Sequence, residues 1–117
     1  MSNVQPISAK ELDDLLKSSS EVALLDVRQS DERQYASINS PQAALDLFIP
    51  LGELQERVAE VESAKPANAF LVVYCHHGVR SQAAANWLAS RGASNVLNLT
   101  GGIDAWSIIV DKNVPRY

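Results

Sequence analysis

The sequence of 117 residues is short of several residue types, and each shortage excludes a class of protein. It has one cysteine, Cys75, so neither an internal disulfide nor a zinc site built from several cysteines is possible. Its ten lysines and arginines are scattered and outnumbered by fourteen aspartates and glutamates, which argues against nucleic-acid binding because phosphate recognition needs a basic surface. No apolar run approaches the roughly 18 residues that cross a membrane. The start has no signal-peptide pattern, so we expect a cytoplasmic protein without a membrane partner.

The residues that are present fit one ordinary globular domain. Hydrophobic residues make up 46% of the chain and charged residues 21%, and both values are usual for a folded protein. A chain of this length buries one core, and the sequence has no repeat, low-complexity tract or long linker. We therefore predict a single domain over residues 1–117, with its core between about residues 7 and 110.

Short apolar runs alternate with amphipathic segments along the chain. Two continuous apolar runs, 22–27 and 70–74, are typical of strands covered on both faces, and Ser8 with Glu11 forms a capping-box pattern before the first helix. This alternation predicts an α/β fold, with a mainly parallel central sheet and helices on both faces. The third predicted strand is 96–99. The other predicted segments are a first helix ended by residues 18–20, a helix 31–35 capped by Ser30, a mostly irregular segment 39–50, a helix 51–62, a helix 82–91 capped by Ser81 and ended by Gly92, and a last helix that holds Ile103, Trp106 and Val110.

Cys75 stands directly after the strongest predicted strand and before a helix. In parallel α/β sheets, ligands bind at this carboxyl edge. If the loop curls around the sulfur, the backbone N–H groups of residues 76–80 point inward, and the following helix N-terminus adds partial positive charge. Gly78 permits the turn, and Arg80 adds a fixed cation at the rim. Such surroundings lower the pKa of a thiol, which makes Cys75 a candidate nucleophile.

Each residue of this loop also has a plainer interpretation. A lone cysteine is most often a small buried hydrophobic residue, and Arg80 taken alone could be an ordinary surface residue. His76 and His77 could bind a metal, but adjacent side chains diverge and no further Cys or His follows, so we predict no metal site. The two histidines would instead tune the field of the loop or contact substrate. Because the chain has no other histidine, only they could serve as a base.

Five segments of the chain carry a more specific pattern. They are Leu25-Asp26-Val27-Arg28 with Glu32, Ile49-Pro50-Leu51 with Glu53-Leu54, Val73 to Ser81 around Cys75, Ala84-Ala85 with Leu88, and Asn95-Val96 followed by Leu99 to Trp106, which contains Gly-Gly-Ile-x-x-Trp. In this order they resemble the rhodanese family, and the resemblance extends from about Ile7 to Trp106.

The resemblance implies both a fold and a reaction. The fold is a rhodanese-like three-layer α/β domain with about five strands in a mainly parallel sheet. In the reaction, a small anionic donor of sulfane sulfur, such as thiosulfate, gives its sulfur to Cys75, and the resulting persulfide passes it to cyanide or a thiol acceptor without a cofactor. The substrate-binding, active-site loop would then comprise His76, His77, Gly78, Val79 and Arg80.

The sequence departs from the family pattern at two places. Residues 36–38 read Ala-Ser-Ile where Gly-His-Ile is usual, and the segment 39–48 is longer than the compact pattern. Neither departure touches the loop around Cys75. Near the front of the chain, we expect Asp26, Arg28 and Glu32 to be structural ion-pair partners rather than catalysts.

Two other functions stay open at this point. Phosphatases of this fold have five residues between the cysteine and the arginine of their loop; here there are four, which favours a single sulfur atom over a phosphoryl group. A persulfide carrier or regulatory module for a dedicated protein partner would use the same loop. Many domains of this type that serve only for docking have lost the cysteine, whereas Cys75 is present here.

Overall fold

The computed structural model describes residues 4–117, and its five strands form one parallel sheet. Within these residues, no helix is long and apolar enough to cross a bilayer. In chain order the elements are β1 (Gln5–Ile7), α1 (Ala9–Lys17), β2 (Val22–Asp26), α2 (Ser30–Tyr35), β3 (Leu45–Phe48), a 3-10 turn (Leu51–Glu53), α3 (Leu54–Ala64), β4 (Phe70–Tyr74), α4 (Val79–Ser90), β5 (Val96–Leu99) and α5 (Gly102–Ile109).

The strands lie in the order β1-β5-β4-β2-β3, which places β4 at the centre of the sheet. The predicted mainly parallel sheet is confirmed, since every neighbouring pair is parallel. All carboxyl ends therefore meet at one edge. Cys75 follows β4, so it emerges in the middle of that edge, between the ends of β2 and β5.

Two apolar clusters, one on each face of the sheet, make up the core. Successive residues of β2 alternate between them, as the two-residue period of a strand requires: Val22 and Leu24 join one cluster, Ala23 and Leu25 the other. The first cluster holds the buried faces of α1 and α5, and the second those of α3 and α4. The three-layer architecture expected from the sequence is thus confirmed. Cys75 belongs to the cluster beneath α3 and α4.

The first helix begins as predicted. The Ser8 hydroxyl oxygen accepts from the Glu11 N–H (3.1 Å), and the Ser8 N–H donates to the Glu11 carboxylate (2.9 Å), which completes the capping box. The helix ends at Lys17, where the Ser18 N–H bonds to the Leu15 carbonyl oxygen (3.1 Å). Gly92 follows Arg91, the C-cap of α4, and has the positive φ expected there, +99°.

The two edge strands differ from the sequence-based prediction. The segment 39–50 is mostly irregular, as predicted, but it also contains the short strand β3, which was not predicted and pairs with β2 over four residues. β3 is short and only partly buried, so its apolar pattern is weak. β1 is a three-residue strand that contains Pro6, a residue that parallel sheets accept at an edge. Both strands lacked the continuous apolar run by which the inner strands were recognised.

Three helix starts also differ from the prediction. α2 begins one residue earlier, so Gln29 rather than Ser30 stands at its cap, where its N–H donates to Glu32 (3.1 Å). The predicted helix 51–62 opens with a 3-10 turn before α3. α4 begins at Val79 and not at residue 82, so Ser81 lies inside the helix and is not its cap.

Candidate active site

The sulfur of Cys75 lies inside a ring of hydrogen-bond donors at the start of α4. Cys75 is only 1% exposed. The Gly78 N–H donates to Sγ at 3.1 Å and the Ser81 N–H at 3.4 Å. The Ser81 hydroxyl oxygen stands 3.3 Å from Sγ on the same side. Among the amides of residues 76–80 that were expected to point inward, that of Gly78 donates to the sulfur, and the Ser81 N–H, one residue beyond that range, does so as well.

Gly78 makes the turn that aims α4 at the sulfur. Its φ of +106° is in the left-handed region that glycine adopts without strain, and it is the residue that precedes the first turn of α4. Because α4 starts immediately after it, the free N–H groups and the partial positive charge of the helix N-terminus face Sγ.

The N-terminus of α5 holds the outer side of the same loop. The Ile103 N–H donates to the Cys75 carbonyl oxygen (2.9 Å), and the Asp104 N–H donates to that of His76 (3.2 Å). Gly102 allows this close approach, since a Cβ at this position would collide with both carbonyl oxygens. With its carbonyl groups fixed toward α5, the loop presents its N–H groups to the sulfur.

These contacts act on the pKa of Cys75 in opposite directions. Burial raises the pKa of the thiol, because the thiolate loses solvation. Hydrogen bonds from the Ser81 hydroxyl and N–H and from the Gly78 and His77 N–H groups lower it, and together they prevail. The pKa of Cys75 is thus below its usual value, which favours the nucleophilic thiolate.

Arg80 lies at the rim of the loop but is already paired. Its two terminal nitrogens donate to the two oxygens of Glu32 on α2, at 2.6 and 2.9 Å. This fork geometry makes the pair a strong one. The Arg80 hydrogen bonds lower the pKa of Glu32 to about 2 and raise the pKa of Arg80. A substrate anion at Arg80 would share the guanidinium with Glu32.

A second, fully buried ion pair supports Glu32 from below. Arg28 is 0% exposed and donates twice to Asp26, at 2.8 and 2.7 Å. Its remaining nitrogen donates to the Tyr117 hydroxyl (2.9 Å), which in turn donates to Glu32 (2.7 Å). The three ion-pair partners expected near the front of the chain do form ion pairs, and Glu32 pairs with the loop residue Arg80.

The two loop histidines lie side by side, so the expectation that adjacent side chains diverge is wrong here. Their ring centroids are 3.9 Å apart. The Tyr117 ring also stacks on His76, with ring centroids 3.9 Å apart and the two planes nearly parallel. Burial and the neighbouring His77 lower the pKa of His76. Among residues 4–117 no group of three or more His, Cys, Asp or Glu side chains could hold a metal ion.

Val79 is the remaining member of the predicted loop, and its side chain points outward. It is 80% exposed, although it stands between Gly78 and Arg80 at the start of α4. An apolar side chain this exposed takes no part in holding the sulfur. Val79 instead forms part of the protein surface beside the loop.

A known protein family matches the part of the chain that contains this loop. The rhodanese-like domain matches residues 8–108, which is most of the chain. The chain belongs to the rhodanese family. In this rhodanese the matched segment includes β2 to β5 and the complete loop from Cys75 to Arg80, while β1 lies just before it.

Relatives of this rhodanese include larger proteins and small enzymes. The rhodanese-like/PpiC domain-containing protein 12 of Arabidopsis thaliana chloroplasts is 36% identical over 97 residues, covering 83% of this chain and 31% of that protein. The thiosulfate sulfurtransferase GlpE of Coxiella burnetii is 32% identical over 86 residues, covering 74% of this chain and 72% of it. The thiosulfate sulfurtransferase structure from Pseudomonas aeruginosa superposes with a TM-score of 0.76 at 28% identity, over 97% of this chain and 20% of that one.

These relatives support sulfur transfer in general for this rhodanese domain. This chain spans less than a third of the length of the chloroplast protein. The similarity therefore concerns the rhodanese region alone, and says nothing of the other parts of that protein.

Two residues of the rhodanese site were missed or misjudged from the sequence. Ser81 was expected to cap a helix, but its buried hydroxyl lies against the sulfur. Asn98, on β5, was not singled out, yet its side-chain oxygen accepts from the Ser81 hydroxyl at 2.5 Å. A polar residue inside the apolar run Val96–Leu99 was the one indication available in the sequence.

Proposed function

We propose that this protein is a sulfurtransferase in which Cys75 takes sulfane sulfur from a donor such as thiosulfate and passes it to cyanide or a thiol. The observation that carries the proposal is the ring of polar groups around Sγ: the Gly78 and Ser81 N–H groups donate to it, and the Ser81 hydroxyl, which accepts from the thiol, lies beside it and can turn to donate to a thiolate. A ring of this kind stabilises a thiolate, and it offers the same stabilisation to the anion of a persulfide.

The proposed reaction has two displacements at sulfur. The Cys75 thiolate attacks the outer sulfur of thiosulfate; a Cys–S bond to that sulfur forms, and sulfite leaves with the electron pair of the broken bond. The acceptor then attacks the same sulfur, and Cys75 leaves again as the thiolate. Cyanide becomes thiocyanate, and a thiolate becomes a persulfide. No external oxidant, reductant or cofactor is needed for this balance.

The rest of the loop has supporting roles in the proposal. The helix N-terminus and the amides of residues 76–80 attract the anionic donor, and Arg80 adds a charge that it shares with Glu32. His76, whose pKa is lowered, is neutral at physiological pH and contacts substrate as a neutral ring. His77 and Val79 are exposed at the entrance of the loop, where an acceptor arrives. A cytoplasmic location remains a prediction from the sequence.

The decisive experiment is intact-mass measurement after treatment with thiosulfate. We expect one added sulfur per chain, on Cys75, which cyanide removes with formation of thiocyanate. Cys75→Ser should fold and take up no sulfur, since serine forms no stable persulfide. Ser94→Ala, at the opposite edge of the sheet, is the matched control and should load normally. Sulfur transfer that persists in Cys75→Ser would contradict the proposal.

A second candidate is a persulfide carrier for a dedicated protein partner. It is favoured by the relatives in which a rhodanese region is one part of a longer protein, such as the chloroplast protein. The same Cys75 persulfide would form, but it would transfer its sulfur only slowly to small acceptors such as cyanide. Comparing the rate of sulfur release to cyanide with the rate to protein thiols separates the two functions.

A further inference from the structure

The Ser81 hydroxyl has one proton and two groups that compete for it. In the structure it donates to the Asn98 Oδ1 at 2.5 Å, while its oxygen accepts from the Cys75 thiol at 3.3 Å. Ser81 and Cys75 are buried, and Asn98 is only 6% exposed. Water therefore has little access to replace any of these bonds.

The orientation of Asn98 is fixed by acceptors on the other side. Its Nδ2 donates to the Gly78 carbonyl oxygen (3.2 Å) and to the Gln82 side-chain oxygen (3.0 Å). A backbone carbonyl can only accept, so the amide nitrogen must face it, and Oδ1 must face Ser81. The Gln82 amide is held in turn by Asn86, to which its nitrogen donates (3.0 Å).

We propose that Asn98 is a positioning residue that sets the charge state of Cys75 by competing with its sulfur for the Ser81 proton. With Cys75 as the thiol, S–H donates to Ser81 and O–H donates to Asn98, so the chain of bonds is complete. When the thiol proton leaves to solvent, the Ser81 hydroxyl rotates and donates to the thiolate. Asn98 Oδ1 then loses its donor inside the protein, and an unsatisfied buried acceptor is costly.

This competition has a use in the proposed function, on which the inference rests. Hydrogen bonds from the Ser81 hydroxyl and from the loop amides lower the pKa of Cys75, but a thiolate of very low pKa is a weak nucleophile. By holding back the Ser81 proton, Asn98 keeps the pKa nearer to neutral pH, where attack on a donor is fastest. In the persulfide the charge moves to the outer sulfur, and the Ser81 proton can return to Asn98.

Among residues 4–117, no ionisable side chain other than that of Cys75 has a hydrogen bond to Ser81. The ionisable groups of the elements packed around Cys75 are all kept in the variants below, so a difference between variants reports the Ser81 proton. These groups are Asp26 and Arg28 at the end of β2, Glu32 and Arg33 on α2, Tyr74 on β4, His76 and His77 in the loop, Arg80 on α4, Asp104 on α5, and Tyr117.

The test is the pH dependence of Cys75 alkylation by iodoacetamide. Asn98→Ala should move the midpoint to lower pH, because the Ser81 proton is then free for the sulfur. Ser81→Ala should move it to higher pH, because the thiolate loses that donor. We expect each shift to be about one pKa unit, as for one hydrogen bond to a charged group. Ser107→Ala removes an equally buried serine on α5, bonded to Ile103 (3.0 Å), and should shift nothing.

Opposite shifts separate this role from simple support of the loop, since general loosening would move both variants the same way. The double variant Ser81→Ala/Asn98→Ala should match Ser81→Ala, because Asn98 acts through Ser81. Asn98→Leu, which keeps the volume, should shift in the same direction as Asn98→Ala. A raised or unchanged midpoint in the folded Asn98 variants, or a double variant unlike Ser81→Ala, would overturn the inference.

A comparison of the unaltered protein with Ser81→Ala covers the case in which the Asn98 variants do not fold. Cys75 is the one thiol of the chain, so the infrared S–H stretching band belongs to it alone. The band should lie at lower frequency than in Ser81→Ala, where the S–H has no acceptor; identical bands would overturn the inference. None of these measurements needs sulfur transfer. A protein that shows the shifts but loads no sulfur would contradict the proposed function and leave this inference standing.

Discussion

Arg80 is the fixed cation of the loop that holds Cys75, and both of its outer nitrogens donate to Glu32. In the folded chain its charge therefore has two possible uses: it can attract an anionic donor, or it can hold the loop against α2. The backbone amides of Gly78 and Ser81 have no such second partner, since both donate to the sulfur. These two amides are therefore committed to stabilising an anion at the sulfur, whereas Arg80 is shared with Glu32.

We expect Arg80→Ala to weaken the use of thiosulfate more than the use of an uncharged persulfide donor. Because one charge-assisted contact is lost, kcat/KM for thiosulfate should fall roughly tenfold, whereas kcat/KM for the uncharged donor should not fall for this reason. Steady-state kinetics with both donors measure the difference. Glu32→Gln, which removes the partner but keeps the cation, is the control. Equal losses for both donors in Arg80→Ala would assign the residue to holding the loop.

The loop itself is held between the N-termini of two helices. α4 directs its free N–H groups at the sulfur, and α5 directs its own at the carbonyl oxygens of Cys75 and His76. The two helices lie on opposite faces of the sheet, so the loop is oriented from both layers. Gly78 and Gly102 are the positions that make this arrangement possible, the first by its turn and the second by its lack of a side chain.

Gly102→Ala should reduce sulfur transfer by more than its effect on the stability of the fold would explain. The new methyl group would displace the Cys75 and His76 carbonyl groups, and the amides on the other side of the same peptides would then turn from the sulfur. We expect a loss of about 1–3 kcal/mol in the free energy of unfolding and at least about a tenfold loss in sulfur transfer. Urea denaturation and kinetics measure the two effects.

Gly92→Ala is the matched control for that prediction. Gly92 also has positive φ, but a Cβ there meets nothing within 4 Å, and it lies far from the loop. The substitution should cost stability through backbone strain alone and leave the specific activity of the folded protein unchanged. If Gly102→Ala behaved in the same way, α5 would not be what orients the loop.

The elements that could be predicted from the sequence are those whose pattern is local. The inner strands β2 and β4 are unbroken apolar runs, and α1 carries its own capping box. The edge strands β1 and β3 were missed because neither is a continuous run of buried apolar residues and because their pairing depends on a partner distant in the chain. The position of Cys75 could be predicted, since it follows from β4; the roles of Ser81 and Asn98 could not, since they arise where α4 meets β5.

At the scale of the molecule, ion pairs and hydrogen bonds join segments that are far apart in the chain. Glu32 on α2 binds Arg80 on α4 and Tyr117 near the end of the described residues, while Arg116 pairs with Asp104 on α5 (2.8 Å). The last residues thus bridge α2 and α5 beside the active-site loop. No periodicity or spacing in the sequence predicts such pairings, because each requires the finished fold.

Glu32 should make the stability of the whole protein sensitive to acid. Hydrogen bonds from Arg80 lower its pKa from 4.5 to about 2, so its contribution is complete above about pH 4.5 and is lost as the pH falls toward 2. We expect Glu32→Gln to cost about 2 kcal/mol in the free energy of unfolding near neutral pH, a value that allows for screening at the partly exposed Arg80. The difference from the unaltered protein should shrink through that pH window.

Urea denaturation at a series of pH values measures this effect. Glu60→Gln is the control, because Glu60 also pairs with an arginine, Arg57 (2.8 Å), but does so in solvent. Its smaller effect should show little change over the same range. A difference for Glu32→Gln that stayed constant from pH 6 to pH 2.5 would mean that the Arg80 pair adds nothing to stability.

The burial of Cys75 decides which of two sulfur atoms a visiting molecule can touch. Cys75 is only 1% exposed, so we expect that a bulky thiol does not reach its Sγ to form a mixed disulfide. In the proposed persulfide the second sulfur stands one S–S bond, about 2 Å, farther out. Sγ of Cys75 thus stays buried, while the outer sulfur of the persulfide is accessible. Attack is thereby directed at the transferable atom, and the protein is protected from being trapped by the acceptors it serves.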